Sequence, residues 1–188
     1  MNNNWLMLFH GNHDLDPASR QEVFRQLWED WWPRLRVYLS GFTSLTREDA
    51  EELASDALLR AMDKADSFDP SRPFAPWLFT LARHLAIAKV RQLRRRSGLL
   101  TNPALLGGHA ELPGPEESLL LEEDRSMVAT AVISLPEHER ELACLIYGAG
   151  LGLGETARIT GQPLGTVKWR VHRLKAAIRS KLEDTDAW

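Results

Sequence analysis

The stretch GQPLGTVKWRVHRL, residues 161–174, is the most informative part of this sequence. It begins a segment of helical period that contains six Lys and Arg residues and no acidic residue between Leu164 and Leu182. The whole chain of 188 residues has a formal net charge of -3, so this segment differs sharply from the rest. A solvated surface helix usually carries charges of both signs. A helix of one sign therefore indicates a polyanionic partner.

The same stretch has the residue spacing of a helix-turn-helix. The small Ala157 lets two helices cross closely, Gly161 supplies a left-handed turn, and Val167 packs the second helix down. Pro163 suits the start of that second helix. The buried stripe of the second helix is predicted to contain Leu164, Val167, Val171, Leu174, Ile178 and Leu182.

The outer face of this recognition helix carries the candidate contacts to duplex DNA. Its N-terminal half, where Thr166, Trp169 and Arg173 point away from the predicted core, is the part that faces the major groove in such motifs. Positively charged side chains farther along the helix are candidates for phosphate contacts. The full candidate set is Thr166, Lys168, Trp169, Arg170, His172, Arg173, Lys175 and Arg179.

Composition and charge distribution divide the chain. Residues 83–96 hold six Lys and Arg and no acid, whereas residues 111–124 hold six acids and no base. A stretch rich in Pro and Gly separates two regions of helical period, and neither region shows a strand pattern. The sequence predicts an all-α protein of two small helical domains: an extension at 1–18, a first domain at 19–96, a flexible linker at 97–118 and a second domain at 119–188.

The compartment follows from what the sequence lacks. One cysteine, Cys144, excludes an internal disulfide framework and fits a reducing environment. No apolar run reaches the roughly 18 residues that a membrane span needs, and no basic residue precedes the short apolar segment WLMLF near the N-terminus. We expect a cytoplasmic protein with no membrane insertion.

Three helices are predicted in the first domain. The first has an apolar stripe interrupted by Pro33, which should kink or break it. The second should begin at Thr46 with a capping box to Asp49. The predicted buried stripes are Phe24, Leu27, Trp28, Trp31, Leu35, Tyr38 and Leu39 in the first helix, Ala50, Leu53, Ala54, Ala57, Leu58 and Ala61 in the second, and Trp77, Leu78, Leu81, Ala82 and Leu85 in the third.

Two other helix faces carry candidate functional residues. On the third helix, Arg83 and Arg94 flank Ile87 and Val90 on the side opposite the core, a combination that suits phosphates and unstacked bases. On the second helix an acidic stripe has two open interpretations, a solvated charged face or a docking surface for a basic partner. The stripe consists of Asp49, Glu52, Asp56 and Asp63, with Leu59 as its apolar member.

Four stretches resemble the extracytoplasmic-function (ECF, group 4) sigma factors of bacterial RNA polymerase. DAEELASDALLRAM (49–62) and FDPSRPFAPWLFTLARHLAIAKVRQLRRR (68–96) are similar to region 2 of that family. LPEHERELACLIY (135–147) and TGQPLGTVKWRVHRLKAAI (160–178) are similar to its region 4. Two features differ from many relatives: Ala88 stands where an Asp is common, and Trp169 where a small polar residue is usual.

The resemblance implies promoter-specific initiation of transcription, with core RNA polymerase and promoter DNA as partners and an anti-sigma factor as a further candidate. Region 2 would dock on the polymerase clamp helices through Asp49, Glu52, Asp56, Leu59 and Asp63. Region 4 would recognise the −35 element and touch the polymerase flap, and the acidic linker would follow the RNA-exit path. The implied −10 and melting residues are Ser67, Phe68, Asp69, Arg72, Arg83, His84, Ile87, Val90, Arg91 and Arg94.

Other functions stay open at this point. A stand-alone helix-turn-helix regulator leaves the basic segment 83–96 unexplained, and an interaction-only protein leaves both basic faces unexplained. An enzyme is disfavoured because Cys144 lies in an apolar run and should be a buried thiol. We expect no catalytic residue, no cofactor and no metal. The weak metal pattern is His10, His13, Asp14 and Asp16, and the acids Glu137, Glu139 and Glu141 are interpreted as first-turn helix acids.

Two expectations concern conformation. Gly152 and Gly154 are predicted to lie inside the first helix of the helix-turn-helix, each costing about 1 kcal/mol relative to Ala. Two units on a flexible linker can also form a compact free state that hides one basic face.

Overall fold

A computed structural model of the chain describes residues 15–96, 132 and 134–185. The helices are α1 (Pro17–Ser40), α2 (Arg47–Asp63), a 3-10 turn (Ala65–Ser67), α3 (Phe74–Arg96), α4 (Glu137–Ala143), a π-helical turn (Cys144–Gly148), α5 (Leu153–Thr160) and α6 (Leu164–Thr185). No strand occurs in these ranges, which confirms the all-α class. The predicted linker and residues 1–14 of the predicted extension lie outside them. None of the described helices is both long and apolar enough to cross a bilayer.

Helix α1 starts two residues inside the predicted extension and passes through its proline. The Asp16 carboxylate caps it by accepting hydrogen bonds from the amides of Ala18 and Ser19, at 3.0 and 3.1 Å. Of the two predicted effects of Pro33, a kink or a break, the break does not occur, because the helix runs on to Ser40. Pro33 is exposed, so water can satisfy the carbonyl group that its missing N–H leaves without an intrahelical partner.

Helix α2 follows its predicted pattern closely. The Thr46 hydroxyl accepts from the Asp49 amide, and the Asp49 carboxylate accepts from the Thr46 amide, both at 3.1 Å. This confirms the capping box. The predicted apolar face is buried at every position: Ala50, Leu53, Ala54, Ala57, Leu58 and Ala61.

Aromatic side chains fill the centre of the first unit. Trp31 packs edge-on against Phe74 and Phe79, with ring centroids 5.5 and 6.3 Å apart. Tyr38 contacts Phe79 at 5.4 Å and has no exposed surface. These pairs join α1 to α3. Trp28 and Trp31 of the predicted stripe are half-buried and pack against the core.

The helix-turn-helix forms as predicted at its turn. Gly161 has φ +67° and ends α5 in the left-handed conformation. Ala157 and Val167 are buried. Leu164, predicted to be buried, is 43% exposed, because it lies in the first turn of α6 before the helix meets its neighbours.

The two glycines at the start of α5 have a smaller combined cost than predicted, because only one of them lies inside the helix. Gly152 is the N-cap residue of α5 rather than an interior position, and its amide donates to the Glu155 carboxylate at 2.9 Å. Glycine is tolerated well at an N-cap. Only Gly154 lies inside the helix, in its first turn.

The C-terminal unit packs directly on α1, and the two units share one hydrophobic core. A Cβ atom added at Gly41 would lie 2.9 Å from the Cys144 sulfur. A Cβ atom added at Gly148 would lie 2.3 Å from Cγ1 of Val37. The backbones therefore approach as closely as glycine permits, and the structure has the compact form that the sequence left open.

We expect Gly148→Ala to separate the two units locally. The new methyl group would overlap a β-branched side chain held rigidly in α1, and such overpacking costs about 1–3 kcal/mol. Urea unfolding of the full chain measures the loss. Gly154→Ala is the matched control, because a Cβ atom there has no neighbour within 4 Å. Equal stability of the two variants would contradict the close approach.

Candidate DNA- and polymerase-binding surfaces

Most of the predicted recognition residues lie on one open surface of α6. Val167, Val171 and Leu174 are buried, and the side chains between them are exposed except that of Arg170. Trp169 is 59% exposed, an unusual position for so large an apolar side chain. The exposed members of the predicted set are Thr166, Lys168, Trp169, His172, Arg173, Lys175 and Arg179.

Trp169 holds the arginine one turn farther along α6. The Arg173 guanidinium lies 4.9 Å from the centroid of the Trp169 ring, within the range of a cation–π contact. Residues four apart on a helix are neighbours, so the contact needs no strain. The indole therefore limits the directions in which Arg173 can point.

Arg170 differs from the rest of the predicted set. It is half-buried, and its guanidinium donates to Oε1 of Gln162 at 2.8 Å and to the carbonyl oxygen of His138 at 3.1 Å. It thus ties α6 to the turn before it and to α4. The geometry corrects the prediction that Arg170 stands on the open face, because two of its nitrogens are used inside the protein.

The turn between the 3-10 helix and α3 presents exposed polar groups. The Asp69 carboxylate accepts from the amide and hydroxyl of Ser71, at 3.0 and 2.7 Å, and from Nε of Arg72 at 3.1 Å. These bonds lower the pKa of Asp69, the Ser71 hydroxyl contributing most. Ser67, Asp69 and Arg72 are exposed, as a nucleic-acid contact requires.

Phe68 was predicted to act with this turn, but it is only 2% exposed. Its ring packs against Phe74 and Trp77, with centroids 5.3 and 5.1 Å away. The prediction that Phe68 presents a surface is wrong, because the aromatic core draws it inward.

The predicted outward face of α3 is largely covered. His84 and Arg91 are exposed, whereas Ile87 is half-buried and Val90 is 7% exposed. The prediction that Val90 projects from the exposed side is therefore wrong. At the two ends of this stripe, Arg83 and Arg94 pair with acidic side chains of the C-terminal unit.

Glu141 makes the stronger of these two contacts. Its Oε1 accepts from Nε of Arg83 at 2.8 Å and from the Tyr38 hydroxyl at 3.0 Å. Burial, reinforced by this carboxylate, raises the pKa of Tyr38 well above its usual value, so the phenol stays a neutral donor. The second pair, Arg94 with Glu137, is longer at 3.7 Å and largely solvated.

No sequence pattern indicated this role for Glu141. Glu137 and Glu139 are first-turn acids of α4, as predicted, but Glu141 reaches across to the first unit. A further contact runs from Nε of Arg34 to the carbonyl oxygen of Ala149, at 2.7 Å. The residues joined by these contacts are 115 positions apart for Arg34 and Ala149, 103 for Tyr38 and Glu141, and 58 for Arg83 and Glu141. No local sequence pattern marks contacts over such separations.

The acidic stripe of α2 is divided in two. Lys89 of α3 pairs with Asp49 at 2.7 Å and with Glu52 at 3.2 Å. Burial raises the pKa of Asp49, but the Lys89 ammonium and the Thr46 cap outweigh it, and the net pKa is lowered. Asp49 is thus held by its predicted cap and by Lys89, so it is not an open member of the stripe.

The remaining stripe is more open. Leu59 is 51% exposed, Asp63 is exposed and Asp56 is half-buried. An exposed leucine flanked by carboxylates combines an apolar anchor with charges that attract a basic partner. We call Asp56, Leu59 and Asp63 the open acidic patch.

Cys144 and the weak metal pattern are the two remaining candidates from the sequence. Cys144 is 2% exposed, and burial raises the pKa of its thiol to about 12, which agrees with the predicted buried thiol. No cluster of potential metal ligands occurs within 15–96 and 134–185. His10, His13 and Asp14 of the weak metal pattern lie outside the described residues.

The sequence of this chain is similar to those of bacterial sigma factors. Residues 27–96 match the sigma-70 region 2 family. The chain is 32% identical over 143 residues to the ECF RNA polymerase sigma factor SigW of Bacillus subtilis, covering 72% of this chain and 76% of that protein. It is 30% identical over 168 residues to the ECF RNA polymerase sigma factor RpoE of Cereibacter sphaeroides, covering 89% and 88%.

Solved structures agree with these relatives. The sigma factor RpoE from Bartonella quintana, in complex with the anti-sigma factor NepR, superposes with a TM-score of 0.69 at 28% identity, covering 85% of this chain and 96% of that one. CnrH in complex with the cytosolic domain of CnrY shares the fold, with a TM-score of 0.63 at 22% identity over 97% and 98% of the chains. This protein belongs to the ECF family of RNA polymerase sigma factors, which confirms the resemblance found in its sequence.

Alanine substitutions at Arg170 and Arg173 should differ in their effect on the free energy of unfolding. We expect Arg170→Ala to lower the free energy of unfolding by about 1–3 kcal/mol, because it removes the charged donor that serves Gln162 and the His138 carbonyl. Arg173→Ala should cost less than about 1 kcal/mol, since only an exposed cation–π contact is lost. Urea denaturation of both variants measures the difference. A larger loss for Arg173→Ala would overturn these assignments.

Proposed function

We propose that this protein binds core RNA polymerase in the cytoplasm and directs promoter-specific initiation of transcription. It recognises the −35 element with α6 and the −10 element with the turn before α3 and with α3 itself. It forms and breaks no covalent bond, because the polymerase supplies the nucleotidyl-transfer chemistry. The observation that carries the proposal is the exposed face of α6, which has no acidic residue between Leu164 and Leu182, in a chain of the ECF family.

Recognition of the −35 element rests on the shape of α6. Thr166, Trp169 and Arg173 stand on the exposed side of a helix whose other side is buried, so the helix can enter a major groove without unfolding. Arg173 is suited to a guanine edge, to which arginine donates two hydrogen bonds. Lys175 and Arg179 lie one to two turns farther on, where a helix leaves the groove and meets phosphates.

Recognition of the −10 element uses the exposed polar turn. The bonds from Ser71 and Arg72 to Asp69 hold this turn in one conformation, which lowers the entropy lost on binding a strand. His84 and Arg91 are exposed on α3 and add donors for phosphates. The stripe from Arg83 to Arg94 joins this surface only when the C-terminal unit moves away.

The open acidic patch is the proposed contact with the polymerase clamp helices, and region 4 is the proposed contact with the flap. Leu59 supplies the apolar anchor and Asp56 and Asp63 the charge. An anti-sigma factor is a further proposed partner. This last proposal is supported by the two solved relatives, whose structures contain NepR and the cytosolic domain of CnrY.

The direct test is run-off transcription with purified core polymerase on genomic DNA fragments. Discrete transcripts that depend on this protein would establish the function and locate its promoter. A stand-alone regulator would instead bind a specific duplex tightly by itself and yield no transcript with core polymerase. That outcome, or a failure to bind core polymerase at moderate salt, would refute the proposal.

Arg173→Ala should relax discrimination at one −35 position. Loss of a bidentate contact to a base costs about 1–3 kcal/mol at that position and little at others. The control is Lys175→Ala, which should weaken binding to every sequence and reduce the salt dependence. Competition between promoter variants at two salt concentrations measures both effects. Identical profiles for the two variants would show that Arg173 contacts only phosphates.

Changes in the open acidic patch should weaken polymerase binding without affecting the fold. Asp56→Lys combined with Leu59→Ser removes the anchor and introduces repulsion toward a basic partner. We expect at least about a tenfold rise in Kd for core polymerase, equal to about 1.4 kcal/mol, by fluorescence titration. Asp30→Lys, an equal charge change at an exposed position of α1, is the control. Equal Kd values for the two proteins would make the patch an ordinary solvated surface.

A further inference from the structure

We propose that Glu141 is an intramolecular latch that holds the C-terminal unit over the −10-binding face of α3 and competes there with nucleic acid. The DNA part of this inference rests on the proposed function, but the closure itself does not. The observation behind it concerns the stripe of Arg83, Ile87, Val90 and Arg94 on α3. Its residue types suit melted DNA, yet Val90 is buried and both arginines pair with the C-terminal unit.

The stripe is continuous along α3. Arg83, Ile87, Val90 and Arg94 are spaced as one helix face, and the two arginines at its ends pair with Glu141 and Glu137. Between them Val90 is 7% exposed. In this arrangement the Arg83 guanidinium is bound to Glu141, Ile87 is half-buried and Val90 is buried, so this part of the stripe is not open to a DNA strand.

The Glu141 carboxylate offers Arg83 the same kind of partner as a DNA phosphate. Its carboxylate gives Arg83 an anionic oxygen at 2.8 Å, as a phosphodiester would. The side chains of Arg83 and Glu141 are 27% and 14% exposed, so the pair is largely shielded from water. Burial opposes the charge on Arg83, yet its pKa is raised because the Glu141 contact is stronger.

Tyr38 is the second donor to the Glu141 carboxylate. It is fully buried in the core that the two units share, and its hydroxyl donates to the same Glu141 oxygen at 3.0 Å. When the units separate, Tyr38 and Arg83 both exchange this carboxylate for water. A hydrogen bond to a charged acceptor that is shielded from water is stronger than a neutral one, so closure is favoured unless another anion takes the place of Glu141.

Closure and DNA binding at this face exclude each other, so the latch must lower the apparent affinity of the free protein for single strands. The apparent affinity equals the intrinsic affinity multiplied by the fraction of open molecules. A partner that stabilises the open form, as the polymerase would, removes this penalty. The latch therefore delays recognition of melted DNA until the protein is bound to its partner.

Glu141→Gln is the variant that tests this inference. Gln keeps the size and one acceptor oxygen but removes the charge. Spin labels on Glu48→Cys and His172→Cys, two exposed positions on separate units, report the distance between the units, while the buried Cys144 stays unlabelled. We expect longer and broader distances with Glu141→Gln, and unchanged distances with Glu139→Gln from the same helix.

Binding of a fluorescent single strand of about 12 nucleotides of mixed sequence is the second measurement. We expect Glu141→Gln to bind at least about fivefold tighter than the parent protein, the lower range of couplings between sites. Adding Arg83→Ala to Glu141→Gln should remove the gain. Unchanged distances together with unchanged affinity would overturn the latch.

Charge reversal guards against a simple loss of folding. Glu141→Arg should open the units by repulsion from Arg83, and adding Arg83→Glu should restore the closed distances. A double variant that stays open would overturn the pairing as the cause of closure. These distances need neither polymerase nor DNA. Failure of the parent protein to support transcription would therefore refute the proposed function and leave the latch standing.

Discussion

The carboxylate of Glu141, shared between Arg83 and Tyr38, is the contact on which the arrangement of the two units depends. Apolar burial supplies most of the attraction between the units, since they share one core, but burial alone has little directional preference. A charged group that needs one donor from α1 and one from α3 fixes where α4 lies. In the same arrangement Gly41 lies close to Cys144, and Gly148 lies close to Val37.

The parts of the fold that were predictable are those fixed by neighbours in the sequence. The capping box at Thr46, the buried face of α2 and the left-handed Gly161 each depend on residues within one or two helical turns. The open face of α6 was predictable for the same reason, because a basic stripe opposite Val167, Val171 and Leu174 leaves no other side for solvent. Periodicity therefore located the candidate recognition surface before any tertiary contact was known.

The errors have one physical origin, which is packing between distant segments. Val90 and Phe68 were placed on surfaces because nothing near them in sequence covers them, yet Val90 belongs to the hydrophobic core and Phe68 packs in an aromatic cluster. Asp49 was grouped with its acidic neighbours, whereas a lysine on another helix and the cap of its own helix use both its oxygens. Helical spacing gives the face on which a side chain lies, but it does not say what lies opposite.

These errors also have a common meaning for function. A surface that binds nucleic acid needs cations beside apolar groups, and the same composition is suited to bury a second unit carrying carboxylates. A chain with such a surface and an acidic helix will close on itself unless repulsion prevents it. The arginine and aliphatic side chains that make α3 a candidate DNA-binding helix are thus the ones that pack against the C-terminal unit in the free protein. Recognition and closure depend on the same arginine, so a change at Arg83 cannot alter one without altering the other.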